Sequence, residues 1–244
     1  DFEVHGNHVR SSLYPFRSEV GQPLYSYYLI ESDGIFQTDA EAEAYTKDGY
    51  MIQPNAKAGD LKFVDHNDDG KIDGYDKQFM GDYYPDITYG MNFRFEYKNW
   101  DANLLFQGVQ GVDIFAGYKF TTYQPTQGYN VLTEALDSWT QSNSGSDIPR
   151  LKLIDENNNY GTESDWYLED GSYLRLKNMS VGYTIPAEIT NRIGTSAIRL
   201  FVTGQNLITL TKYSGFDPEV GENGLDMMKY PQSRTIMLGA NINF

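Results

Sequence analysis

Apolar and polar residues alternate strictly along several stretches of the chain. From residue 86 to 97 the apolar side chains Ile87, Tyr89, Met91, Phe93, Phe95 and Tyr97 occupy the odd positions, and Thr88, Gly90, Asn92, Arg94 and Glu96 occupy the even ones. Because neighbouring side chains of a strand point to opposite faces, this period of two predicts a β-strand with one apolar face. Its length is that of a strand that crosses a bilayer, about ten residues.

The same pattern recurs in at least three more segments. After Lys98-Asn99 the alternation resumes with Trp100, Ala102, Leu104 and Phe106, which predicts a tight hairpin. Further strands are predicted at 173–183, 197–207 and 234–244, and a weaker one at Leu24–Ile30. In 173–183 the apolar phase slips at Lys177-Asn178, which indicates a β-bulge. The side chains predicted to face lipid are Ile87, Tyr89, Phe93, Phe95, Leu104, Phe106, Leu238, Ile242 and Phe244.

The connections between the predicted strands are unequal in length. The 98–99 turn is short and 184–196 is moderate, whereas 32–85, 123–171 and 208–233 are long and polar. Short turns on one side and long loops on the other are typical of outer-membrane β-barrels. Counting strands back from residue 244 at the periplasmic side places 32–85, 123–171 and 208–233 outside the cell. A short helix is predicted at Asp39–Lys47, inside the first of these loops.

Composition narrows the possible functions. The chain has 244 residues, 20 Tyr, 13 Phe, no Cys and a formal charge of −15. Such a charge repels phosphate backbones, which argues against nucleic acid as a partner. The absence of Cys excludes disulfides and Cys-based metal sites. The alternation also fits a soluble or surface-attached β-sandwich binding module, and that alternative stays open at this point.

The segment 65–76 has the spacing of a calcium loop. Asp65, Asn67 and Asp69 take positions 1, 3 and 5, Gly70 takes position 6, and the remaining predicted ligands are the Lys71 carbonyl, Asp73 and Asp76 at positions 7, 9 and 12. Hard oxygen ligands at alternate positions are what a wrapped Ca²⁺ requires. We therefore predict one Ca²⁺ that stiffens an external loop. An acidic turn exposed to solvent is the alternative.

Other chemistry-bearing residues give weaker signals. His5 and His8 have a metal-binding spacing but no third ligand. No nucleophile motif or phosphate-binding glycine loop is present, so the chain is not expected to be an enzyme. The acidic pairs Glu41/Glu43 and Asp165/Glu169 leave a glycosidase as a remote alternative. Aromatic residues that suit either sugar stacking or loop packing are Tyr123, Tyr129, Trp139, Tyr160 and Trp166.

Four blocks of the sequence resemble a known family. They are "GDLKFVDHNDDGKIDGYDKQFMG" (59–81), "YLRLKNMSVGYTIP" (173–186), "GQNLITLTKYSGFDPE" (204–219) and "YPQSRTIMLGANINF" (230–244). In this order they are similar to the C-terminal blocks of SusC/RagA-type TonB-dependent transporters. The resemblance implies an all-β fold, namely an antiparallel transmembrane β-barrel segment with long extracellular loops, in the outer membrane of Bacteroidota.

The resemblance also implies function and partners. Family members import oligosaccharides or peptides, are closed by a SusD-like surface lipoprotein and contact the TonB complex through an N-terminal plug domain. No part of this sequence matches the plug. Six or so strands cannot close a large barrel, so the chain is expected to need the remaining N-terminal barrel and plug, together with outer-membrane lipid. The first strand, at Leu24–Ile30, and the last are expected to pair with that missing portion.

Overall fold

The structure, a computed structural model, describes residues 15–125, 128–221 and 223–244. Strands dominate this part of the chain. They are β1 (Phe16–Arg17), β2 (Ser26–Ile30), β3 (Ser32–Ile35), β4 (Thr46–Lys47), β5 (Tyr50–Met51), β6 (Leu61–Phe63), β7 (Lys77–Phe79), β8 (Ile87–Tyr97), β9 (Trp100–Gln110), β10 (Asp113–Phe115), β11 (Leu168–Asp170), β12 (Tyr173–Thr184), β13 (Ala197–Thr211) and β14 (Thr235–Asn243).

The helices are short. They are α1 (Asp39–Ala44), α2 (Lys119–Thr122) and α3 (Ala187–Thr190), with 3-10 helices at Gly74–Asp76, Thr133–Asp137, Asp165–Tyr167 and Asn191–Ile193. Helix α1 begins as the sequence predicts, because Thr38 at its N-cap accepts a hydrogen bond from the Glu41 N–H. Within the described ranges, no helix is long and apolar enough to cross a membrane.

The chain forms two compact units. The first, called here the loop unit, contains the described residues up to Tyr83 together with Ile114–Glu169 and Val220–Met228. The second, called the sheet unit, contains Tyr84–Asp113, Asp170–Glu219 and Lys229–Phe244.

The sheet unit is built on one five-stranded antiparallel sheet in the order β14-β13-β12-β9-β8. Each strand pairs with the next long strand along the chain, so the sheet is a meander. Tyr97 pairs with Trp100, which leaves the two-residue turn that the sequence predicts. These long strands confirm the predictions for 86–97, 173–183, 197–207 and 234–244; the strand predicted at 100–120 is present as β9 but ends at Gln110.

The register places most of the apolar residues of the five strands on one face. Phe93 pairs with Leu104, Leu104 with Met179, and Val202 with Leu238. Many side chains on this apolar face are exposed: Phe93 is 43% and Leu238 is 84% accessible. Within the described residues, the five-stranded sheet is not hydrogen-bonded to any other sheet.

The opposite, polar face carries most of the charged and hydroxyl side chains of the strands. Arg199 lies across Gly182 and bonds Asp101, its Nε 2.8 Å from Asp101 Oδ1. A Cβ at Gly182 would come within 2.4 Å of the Arg199 guanidinium, so a larger residue there would displace that side chain. The two faces of this sheet are therefore made for different surroundings.

The predicted β-bulge is present. The pairing of β12 with both neighbours shifts between Leu176 and Asn178, so Lys177 is an extra residue relative to β9. On β13 the irregularity falls at Asn206, whose φ of 52° lies in the left-handed region. Because of the bulge, Leu176 and Met179 point to the same apolar face although they are three residues apart.

The loop unit corrects one expectation. The segment Leu24–Ile30 was predicted as a membrane strand, but β2 is the middle strand of a small sheet, β1-β2-β7. Its neighbours are short strands of the same unit, and its side chains pack into an aromatic core. The core residues are Phe16, Tyr27, Leu29, Phe115 and Tyr167. Leu24–Ile30 is therefore not an edge of the five-stranded sheet, and that prediction is wrong.

Candidate functional site: a charged cluster and cavity on the polar face

The polar face of the sheet unit holds a cluster of ion pairs around Glu219. Tyr173 donates its hydroxyl to Glu219 Oε1 at 2.8 Å, Arg175 donates to Glu219 Oε2 at 3.1 Å, and Lys177 lies 2.8 Å from Oε1. Arg175 also donates to Asp217 at 2.6 Å. These contacts fix the segment 213–219 against the sheet.

The strand geometry explains how three consecutive odd-numbered residues reach one carboxylate. Tyr173 and Arg175 share the polar face by the period of two. Lys177 is the extra residue of the bulge, and its ammonium bonds the same Glu219. The bulge therefore adds a second positive charge to the cluster while keeping the apolar phase of the strand.

Arg175 is the most deeply buried charge of the cluster, with 2% of its surface accessible. Its Nε finds no hydrogen-bond partner among the described residues. A buried guanidinium with one unused donor is costly unless its other bonds are strong. Asp217 and Glu219 supply those bonds.

Asp217 connects the cluster to the next segment. Its Oδ2 accepts the Gln232 N–H at 2.8 Å, and Oδ1 accepts the Glu219 N–H at 2.9 Å. Burial raises the pKa of Asp217, but the hydrogen bonds from Arg175 and these backbone groups outweigh it, so its pKa lies below the ordinary value. Asp217 is thus ionised at neutral pH.

A cavity of about 360 Å³ lies beside this cluster. It is called here the polar-face cavity. Its lining residues are Arg175, Asn206, Thr209, Thr211, Gly215, Phe216, Asp217, Pro218, Pro231, Gln232 and Arg234. The volume lies in the range of small-ligand sites.

The segment 65–76 forms a tight loop with the hydrogen bonds of a cation-wrapping turn. Asp65 Oδ2 accepts the Gly70 N–H at 2.8 Å, and Asn67 Oδ1 accepts the Asp69 N–H at 2.9 Å. Asp76 is fully buried and accepts N–H groups of His66 and Asp73. The predicted ligands thus share one loop closed by Asp76.

The carboxylates of this loop do not converge in the structure. Among the described residues, no group of three or more His, Cys, Asp or Glu is placed to hold a metal. The Lys71 ammonium instead lies 2.5 Å from Asp73 and 3.3 Å from Asp69. A calcium ion would have to displace this ammonium, and the calcium site stays a prediction.

The aromatic residues considered as ligand contacts mostly pack inside the loop unit. Tyr123, Trp139 and Tyr160 are buried. The rings of Tyr123 and Tyr160 meet Trp166 edge-on at 5.9 and 5.7 Å. Only Tyr129, among the five named, is largely exposed. Loop packing is therefore the correct interpretation for the other four.

The acidic pairs have separate partners. Glu41 accepts the Gln37 N–H and Glu43 faces Lys57, while Glu169 pairs with Lys119. Asp165 accepts both donors of Ser32, and burial, its largest influence, raises its pKa. Each of these carboxylates therefore has a partner outside its own pair. His5 and His8 lie outside the described residues.

Comparisons with known proteins agree with this architecture. The chain is 32% identical over 236 residues to TonB-dependent receptor P3 of Formosa agariphila, covering 92% of the chain and 22% of that receptor. It is 29% identical over 199 residues to TonB-dependent receptor SusC of Bacteroides thetaiotaomicron, covering 80% of the chain and 18% of SusC. No family model matches the chain.

Solved structures show the same fold. The structure of the RagAB peptide transporter superposes with a TM-score of 0.70 at 23% identity, over 94% of this chain and 24% of that one. The RagAB peptide importer in the open-open state gives 0.71 at 22% identity, over 98% and 24%. The chain belongs to the SusC/RagA family of TonB-dependent receptors.

The chain spans about a quarter or less of the SusC/RagA-type relatives it matches. Its five-stranded sheet is accordingly a segment of an antiparallel transmembrane β-barrel, and the apolar face is the lipid-facing one. The lipid-facing side chains predicted from the sequence all lie on or at the end of that face.

Two of the sequence blocks that resemble this SusC/RagA family meet in the charged cluster. "YLRLK" supplies Tyr173, Arg175 and Lys177, and "GFDPE" supplies Asp217 and Glu219. Sequence reasoning treated these segments as strand and loop and missed the cluster. The available signal was three polar side chains at alternate positions of an otherwise apolar strand.

Proposed function

We propose that the chain is the C-terminal barrel part of an outer-membrane importer of oligosaccharides or peptides. The observation that supports it is the exposed apolar face, with Phe93, Leu238 and Phe244 among its residues. Such a face is costly in water and favourable in hydrocarbon. The polar face would then line the lumen through which a nutrient passes. The role that we propose for the chain is in transport and not in catalysis.

The sheet also argues for a larger assembly. Within the described residues β8 pairs only with β9, and β14 pairs only with β13. Each unpaired N–H or C=O in hydrocarbon costs several kcal/mol. We infer that the remaining N-terminal barrel supplies strands for both edges, with a plug domain and TonB providing energy. Membership of the SusC/RagA family supports a SusD-like surface lipoprotein as the lid.

The connections support an orientation. The two-residue turn after Tyr97 and the moderate connection after Thr184 lie at one end of the meander, and the long segments lie at the other. Because external loops of these barrels are the long ones, we place 32–85, 123–171 and 208–233 outside the cell. Most of the described residues of 32–85 and 123–171 belong to the loop unit, which has its own sheets and core.

A calcium ion in segment 65–76 is a separate proposal. Asp65, Asn67, Asp69, the Lys71 carbonyl, Asp73 and Asp76 have the spacing of a calcium loop, and the loop already turns as such a site requires. Binding would draw Asp69 and Asp73 away from the Lys71 ammonium. Its role would be to stiffen the loop unit.

The test is made on the full-length receptor that contains this chain. We expect it in the outer-membrane fraction, as a heat-modifiable barrel, and we expect uptake of its nutrient to stop when TonB is deleted. Uptake assays with peptides and with oligosaccharides would decide the nutrient class. A receptor that stays folded and monodisperse in buffer without detergent would contradict the proposal.

A further inference from the structure

The polar-face cavity contains polar side chains that the protein itself does not use. Thr209, Gln232 and Arg234 line it, and the side chains of these three residues make no hydrogen bond or ion pair within the described part of the chain. Donors left free around one cavity are available to a ligand.

The charge around the cavity is positive in an otherwise acidic protein. Arg175 and Lys177 are balanced by Asp217 and Glu219 through the ion pairs of the cluster. Arg234 is an additional, exposed positive charge, whereas the whole chain carries −15. A local surplus of one positive charge favours an anionic group on the ligand.

The segment that carries Arg234 is held in place. Asn206 donates its side-chain amide to the Ser233 carbonyl at 3.1 Å, and Gln232 donates its N–H to Asp217 at 2.8 Å. Two anchors directly before Arg234 in the chain reduce the ordering cost of binding. The site is therefore preorganised at its charged end.

Part of the remaining wall is apolar. Phe216, with 63% of its surface exposed, lies with Pro218 and Pro231 along the cavity. A cavity lined by an arginine, an aromatic ring and two prolines suits a carboxylate attached to a flat or apolar body. Arginine is the side chain best matched to a carboxylate, because its planar fork donates two hydrogen bonds.

We propose that the polar-face cavity binds a carboxylate group of the imported oligomer, with Arg234 as its partner and Gln232 and Thr209 as additional donors. The carboxylate belongs either to a peptide C-terminus or to an acidic sugar. This inference rests on the proposed import function and adds the chemical class that the receptor selects.

The experiment measures binding to the purified full-length receptor in detergent by calorimetry. The probes are N-acetylated tetra-alanine with a free or an amidated C-terminus, and tetragalacturonate with its full methyl ester. We expect one acid to bind about tenfold or more tightly than its neutral partner, as the loss of a charged hydrogen bond implies. The pair that shows the difference identifies the source of the carboxylate.

Substitutions at Arg234 test whether this residue causes the preference for the acid probe. Arg234→Gln should abolish the preference for the acid, and Arg234→Lys should retain part of it. Arg94→Gln is the matched control, since Arg94 is an exposed arginine that the strand register places on the polar face, paired with Glu96 away from the cavity. It should leave the preference unchanged.

Two results would overturn the inference: equal binding of acid and neutral probes, including no binding of either, or a preference that survives Arg234→Gln. In both cases outer-membrane location and TonB-dependent uptake of the receptor can be measured independently. Retained uptake would leave the proposed function standing, and a receptor absent from the outer membrane would instead refute that function.

Discussion

The loop unit and the sheet unit use apolar side chains in opposite ways. In the loop unit the aromatic rings face each other: Phe115 stacks on Tyr167 at 4.9 Å, and both are fully buried. In the sheet unit Phe93 and Phe95 stack on each other and remain 43% and 56% exposed. One unit has an interior of its own, and the other has a face that needs an apolar solvent.

Both units neutralise their buried charges with hydrogen-bonded ion pairs. In the loop unit Asp60 accepts both Arg150 donors at 2.6 Å and an Asn159 amide. In the sheet unit Arg175 is held by Asp217 and Glu219. The two units therefore differ in the surroundings of their apolar side chains, whereas buried charges in both units are paired with opposite charges.

The largest expected effect is on the core of the loop unit. Phe115→Ala removes a fully buried ring and should destabilise that unit by about 3–5 kcal/mol. Hydrogen exchange of the Tyr27 and Leu29 amides should accelerate accordingly. Phe95→Ala is the control, because that ring belongs to the lipid-facing sheet. If both variants accelerated exchange equally, the two apolar sets would not be distinct.

The next effect concerns the lipid-facing side. Phe93→Arg should cost about 2–4 kcal/mol if the site is near the bilayer midplane, since a charge there meets hydrocarbon. Asn92→Arg is the control on the adjacent, polar position. The measurement is urea unfolding of the full-length receptor in lipid vesicles. Equal tolerance of arginine at both positions would rule out the assignment of faces.

A smaller effect is expected from acid. The pKa of Asp217 lies below its ordinary value, so its contribution to stability is present above the unfolded pKa of about 3.9 and is lost as the pH falls through the folded pKa. Proteolysis of segment 213–219 should therefore increase in that low pH range. Asp217→Asn should give a segment that is cleaved more readily at neutral pH and responds less to acid. An identical pH profile for both proteins would show that Asp217 does not hold the segment.

The strands of the sheet unit could be predicted because their physical cause is local. From Ile87 to Tyr97 polar and apolar residues alternate because one face of the strand meets water and the other meets an apolar medium. The bulge at Lys177 also appears in the sequence, as a one-residue shift in that alternation. The charged cluster could not be predicted in this way. Glu219 lies 42 residues from Lys177, and no local pattern indicates that they meet.

The core of the loop unit could not be predicted for a related reason. Leu24–Ile30 reads as a strand, and β2 is one, but its partners β1 and β7 were not recognised as strands because they are two and three residues long. Likewise Trp166 and Tyr160 stand in a polar segment, so their neighbours gave no sign of a core. Burial there depends on contacts between distant segments.

The calcium prediction would sharpen the comparison further, because it concerns what else stabilises the loop unit. We expect Ca²⁺ titrated into the purified receptor to slow hydrogen exchange in residues 65–76 and to leave the five-stranded sheet unchanged. Asp69→Asn neutralises the predicted ligand at position 5 while keeping its oxygen, and the lower ligand charge should weaken binding about tenfold. Asp68→Asn is the matched control, since Asp68 stands outside the ligand spacing and pairs with Lys47.

The Lys71 side chain predicts which substitution should strengthen calcium binding. Its ammonium now lies between the Asp69 and Asp73 carboxylates, so it competes with the ion for the same charge. Lys71→Ala should therefore tighten calcium binding while keeping the carbonyl ligand at position 7. If Lys71→Ala instead loosened the loop and no variant responded to millimolar calcium, the ammonium would be the permanent counterion of the loop and the metal site would be refuted.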